Sequence, residues 1–86
     1  MIYNTNIIKN LISAIKEYLK WCKKYGYLSD YTSLAYYLGQ LHAYLIAMNR
    51  FGLVDRKGFA ITKDSLEEVE DYIDFVLESL EITDND

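Results

Sequence analysis

Proline is absent from this chain, and glycine occurs only four times in 86 residues. Long helices therefore meet almost nothing that removes a backbone donor or loosens the backbone. The single cysteine excludes an internal disulfide and points to a reducing, cytoplasmic setting. One cysteine and one histidine cannot supply the nitrogen and sulfur ligands of a zinc site. The acids lack the alternating spacing and glycine of a calcium loop, and no glycine pattern fit to cradle phosphate is present. No metal and no cofactor is expected. His42 has neither an acid nor a nucleophile beside it in sequence, and Cys22 falls on an apolar stripe. No catalytic residue stands out, so a non-enzymatic role is expected. The opening MIYNTNIIKN lacks a basic start followed by a long apolar stretch, so a secretory signal is not expected.

Charge is missing from one long stretch. Residues 31–49, YTSLAYYLGQLHAYLIAMN, carry no formal charge between Asp30 and Arg50. The run is long enough to span a bilayer. Thr32, Ser33, Gln40, His42, Asn49 and four tyrosines make such a span costly, and a core helix is expected instead. Two stripes lie within it. Tyr31, Leu34, Leu38, Leu41, Leu45 and Met48 follow a coiled-coil-like 3-4-3-4-3 spacing. Ala35, Gly39, Ala43 and Ala47 recur every fourth residue and form a ridge of small side chains on another face. A helix uncharged all round is normally buried or shared with a partner.

Half of the residues are hydrophobic and nine are tyrosine, a globular composition in a chain of one domain's length. Periodicity predicts helices over about residues 5–25, 31–51 and 63–81. In the first, Ile8, Leu11, Ile15, Tyr18, Cys22 and Tyr25 form the seam, and Ile7, Ile12 and Leu19 widen it. Gly26 and Gly52 read as stop signals. Ser65 with Glu68 has capping-box spacing, and Leu66, Val69, Ile73, Val76 and Leu80 form the third seam. Residues 53–61, LVDRKGFAI, read as a small β-hairpin or a tight loop. The expected fold is mainly α: an antiparallel three-helix bundle with that hairpin or loop between the second and third helices.

Charge is segregated along the chain. Residues 1–28 carry five lysines against Glu17, whereas residues 63–86 carry Lys63 against ten acids. At about 100° per residue, Lys9, Lys16, Lys20 and Lys23 share one face of the first helix. Glu67, Asp71, Asp74 and Glu78 line up on the third, with Glu70 and Glu81 at the edge. Acids in a first turn suit the helix dipole, so a purely structural reading is open. The functional expectation is that Glu67, Asp71, Asp74 and Glu78 bind a protein partner with a basic surface. A row of carboxylates on a helix can imitate phosphate spacing, as an inhibitor or adaptor of a nucleic-acid-handling protein would. Trp21 and Phe75 are candidate anchors beside those charged faces. The ridge, with Tyr36 beside it, suggests a homodimer through Tyr36, Gly39, Ala43 and Ala47. The alternative is cover from the first helix or the hairpin.

Residues 45–62, LIAMNRFGLVDRKGFAIT, resemble the end of a winged-helix domain, in which a recognition helix leads through Gly-Leu-Val to a basic wing. Ser33, Leu34, Ala35, Leu38 and Gly39 resemble the first helix of a helix-turn-helix. The resemblance implies a DNA-binding transcriptional regulator with Arg50, Arg56 and Lys57 on the nucleic acid, and nucleic acid is expected as a partner only on this reading. The seam of residues 31–48, by contrast, runs through the supposed turn as one helix would. The Ile-, Lys-, Asn- and Tyr-rich composition matches an AT-rich genome, and a phage or mobile-element source is compatible with it.

Overall fold

A computed structural model of the protein describes residues 5–26, 31–54 and 65–82. Three helices make up most of them: α1 (Thr5–Tyr25), α2 (Tyr31–Ala47) and α3 (Leu66–Ser79). A 3-10 turn, Phe51–Leu53, follows α2. No strand is present among the described residues. Leu53 closes the 3-10 turn and Val54 is extended, while residues 55–61 of the expected hairpin lie outside the described residues. The hairpin therefore finds no support.

The helices pack as a bundle does. α1 lies most extensively against α2 and less so against α3. The six steps from Tyr25 to Tyr31 can bridge at most about 22 Å, whereas α1 is about 30 Å long. Two helices packed side by side across so short a link must run antiparallel. Tyr18 of α1 stacks on Tyr37 of α2 at 5.5 Å between ring centroids.

The core draws on all three helices. Leu34, Leu38, Leu41 and Leu45 of α2 are buried, as their spacing predicts, while Tyr31 at the start of that seam is 43% exposed. Leu66, Val69, Ile73, Val76 and Leu80 are buried as predicted, joined by Leu77 and Ile82. In α1 the deepest line is Ile8, Ile12, Ile15, Leu19 and Cys22. All five lie in the expected apolar arc, but burial is shifted within it: Leu11 and Tyr18 are half-buried, and Ile7 and Tyr25 are exposed. The reason is that α1 has two neighbours. Tyr18 meets α2 and Leu19 faces α3, so burial shifts from the Tyr18 edge toward Leu19.

Helix ends differ from expectation in an instructive way. α2 stops at Ala47, four residues before the expected end. Asn49 takes a left-handed φ of 60°. Its N–H donates to the Ile46 carbonyl at 3.0 Å, and the Arg50 N–H donates to the Leu45 carbonyl at 2.8 Å. That pair of bonds is the Schellman closure, built on Asn rather than on the expected Gly52. α3 ends in the same manner, with Glu81 at φ 56°. There the Glu81 and Ile82 N–H groups donate to Glu78 and Leu77 at 3.1 and 2.9 Å. Gly26, at φ 98°, ends α1 as predicted. Ser65 occupies the N-cap position of α3 but its backbone is already helical and its side chain makes no capping bond, so the capping box does not form.

Candidate functional site

Three surfaces are candidates, one on each helix. The outward side of α2 is uncharged. Ala35, Gly39, Ala43 and Ala47 are all exposed on it. Tyr36 and Ile46 flank the ridge at 61% and 47% exposure, and Tyr36 sets its edge against Tyr37. A Cβ added at Gly39 would meet nothing within 4 Å. Neither α1 nor α3 covers the ridge, and residues 55–61 lie outside the described residues. The mid-helix glycine thus has no close backbone neighbour among the described residues to offset its cost of roughly 1 kcal/mol against alanine.

On α3, Glu67, Asp71, Asp74 and Glu78 are all exposed, as are Glu68 and Glu70. The opposite side of the helix is held by Val69, Ile73, Val76 and Leu77 in the core, so the carboxylates ride on an anchored element. From Glu67 to Glu78 the row rises about 16 Å. Phe75 stands beside it at 49% exposure. Glu70 forms an ion pair with Lys23 of α1.

That ion pair crosses a groove between α1 and α3. Lys16, Leu19, Lys20, Lys23 and Lys24 line one side, and Glu70 and Asp74 the other, around a volume of about 490 Å³. Of the four predicted acids, only Asp74 reaches this groove. On the same end of α1, Trp21 and Tyr25 stack at 5.2 Å with 12° between their planes. The Lys24 ammonium lies 5.9 Å from the Trp21 ring and 5.3 Å from the Tyr25 ring. The indole Nε1–H donates to Glu17 Oε1 at 3.0 Å. Sequence reasoning singled out Trp21 but not this stack, although the four-residue steps Glu17–Trp21–Tyr25 place all three on one side of a helix.

The remaining chemistry-bearing residues serve packing. His42 is half-buried and meets Tyr72 edge-on at 5.5 Å. The Tyr72 hydroxyl donates to the Leu53 carbonyl at 2.7 Å, tying α3 to the turn after α2. Cys22 is 1% exposed and acts as a small core hydrophobe. Among the described residues no group of His, Cys, Asp or Glu is placed to hold a metal ion, and no helix is long and apolar enough to cross a membrane. α2 runs unbroken from Tyr31 to Ala47, where a helix-turn-helix requires a turn. Of the residues the winged-helix resemblance would place on DNA, Arg50 sits in the α2 closure, while Arg56 and Lys57 lie outside the described residues.

No family model matches the chain, and no curated protein and no solved structure is detectably similar to it.

Proposed function

We propose that the protein is a non-enzymatic interaction module, an inhibitor or adaptor whose α3 docks onto the basic surface of a nucleic-acid-handling protein. The observation that supports this most is the exposure of Glu67, Asp71, Asp74 and Glu78 together on a helix whose other side is locked into the core. Such a row is preorganised, so little conformational entropy is lost on docking. Its charge acts mainly on encounter rate and partner choice, and salt weakens it. Glu70, held by Lys23, adds less, and Asp74 is shared with the groove that faces α1.

The same reading includes a homodimer in which two α2 helices cross at Gly39 and Ala43, with Tyr36 and Ala47 at the margins. Supporting it is the open, uncharged ridge, on which small side chains let two backbones approach closely. Gly39→Leu places bulk where the protomer has room, so the variant should fold and sediment at half the wild-type mass. A folded Gly39→Leu protein of unchanged mass sinks the dimer.

For the acidic face, the test is reversal of Asp71, Asp74 and Glu78 to lysine, followed by affinity capture from host lysate with and without nuclease. The wild type should retain a basic, nucleic-acid-handling protein after nuclease, and the reversed variant should lose it while its helical circular dichroism persists. Retention by the reversed variant at low salt would overturn the reading. Recovery of DNA that vanishes with nuclease and is lost in an Arg50→Gln/Arg56→Gln/Lys57→Gln variant would instead favour the winged-helix alternative.

A further inference from the structure

The C-terminal half of α1 brings together two features that charge segregation alone does not explain. Lys16, Lys20 and Lys24 line the groove beside α3, and the stacked Trp21–Tyr25 pair stands on the next face of the same helix. A row of lysines with aromatic rings on the adjoining face is a combination that binds single-stranded nucleic acid. Lysines track the backbone, and bases stack on the rings whatever their identity. We propose that this end of α1 binds single-stranded nucleic acid, with Lys16, Lys20 and Lys24 on phosphates and the Trp21–Tyr25 pair stacking a base.

The parts are arranged for this. The Glu17 carboxylate accepts from the Trp21 indole at 3.0 Å and so fixes the ring that Tyr25 stacks on. Tyr25 itself is 58% exposed, which leaves ring surface for a base. Lys24 lies near both rings and also lines the groove, so it joins the stacking surface to the backbone track. Lys16 to Lys24 covers about 12 Å of helix, a footprint of a few nucleotides. Duplex suits the site less, because its bases are already stacked.

Opposing charge sets the expected strength. Lys23 is engaged by Glu70, and Asp74 on the far wall repels phosphate. Phosphate contacts from Lys16, Lys20 and Lys24 correspond to a salt slope of about −2. Raising salt from about 50 to about 200 mM should then weaken binding roughly 20-fold. The proposal does not depend on the α3 docking surface. Removing Asp74's charge should tighten binding to the strand even as it weakens docking to a basic protein.

The experiment titrates the full chain into a fluorescein-labelled oligothymidylate of about ten nucleotides and reads anisotropy, with a matched duplex and inorganic polyphosphate as competitors. Trp21 is the only tryptophan, so its fluorescence reports stacking directly. The expected result is salt-dependent binding to the single strand, Trp21 quenching, and weaker competition by duplex and by polyphosphate. Trp21→Leu should lose roughly tenfold in affinity, and Lys16→Gln/Lys20→Gln/Lys24→Gln should abolish the salt dependence. Circular dichroism confirms that both variants fold. No binding at low salt overturns the proposal. So does binding that polyphosphate matches and Trp21→Leu leaves unchanged, since that is a surface of charge alone. Preference for duplex overturns it as well.

Discussion

Replacing Glu81 by glycine should stabilise this protein, although it deletes a side chain and adds none. Glu81 follows α3 at φ 56°, a left-handed conformation that costs a non-glycine L-residue about 1–2 kcal/mol. It is held there by the Glu81 and Ile82 N–H bonds to Glu78 and Leu77, and by Ile82 and Leu77, which are 8% and 6% exposed. Its carboxylate also sits at the negative end of the helix dipole, worth about 0.3–1 kcal/mol against it. Glycine removes both penalties but returns about 0.4–1 kcal/mol through the greater freedom of the unfolded chain. The balance is about 1 kcal/mol of added stability, or about 4–8 °C in Tm for a domain of this size. Thermal and urea denaturation of three variants separates the contributions. Glu81→Gln removes the charge alone and should gain the smallest amount. Glu81→Asn keeps a side chain that tolerates the left-handed region and should fall in between, with Glu81→Gly highest. If Glu81→Gly is no more stable than Glu81→Gln, the left-handed closure is not a cost in solution and the reasoning fails.

Three further substitutions probe the packing. Leu41 is fully buried in the α2 seam, so Leu41→Ala should cost about 2–5 kcal/mol in urea unfolding and expose the core to a hydrophobic dye. Tyr72→Phe removes the hydroxyl bond to the Leu53 carbonyl and should cost about 0.5–1.5 kcal/mol, with faster amide exchange around Leu53 and Val54 as its local signature. Gly39→Ala should raise protomer stability by roughly 1 kcal/mol, because the added Cβ meets nothing within 4 Å. A loss of stability that is present at high protein concentration and disappears on dilution would instead show that Gly39 faces a second copy.

Much of the fold is legible in the residues. Leu34, Leu38, Leu41 and Leu45 announce the inward side of α2 by spacing alone, and the α3 seam from Leu66 to Leu80 does likewise. A heptad-like row on a helix has one side to hide, and burial follows it. The same logic leaves Glu67, Asp71, Asp74 and Glu78 outside, since unpaired carboxylates are not buried. Helix ends were harder to read. Gly26 marks one because glycine enters the left-handed region without strain, but Asn49 and Glu81 take that conformation under the pull of the closures that follow them.

Sequence by itself determined that the chain forms three helices, two of them amphipathic and one uncharged, where their apolar rows lie, and that its lysines and acids separate onto different helices. Periodicity and helical geometry are local, and they act before any helix meets another. Only the tertiary structure decided how burial is distributed within the apolar arc of α1, because that arc meets both α2 and α3. The same packing left the ridge of α2 without cover and brought Lys16, Lys20, Lys23 and Lys24 across a groove from Glu70 and Asp74. Those residues are some fifty positions apart in sequence, and no local pattern relates them. Their meeting depends on which side of α1 the third helix occupies, which the combined burial of all three seams sets.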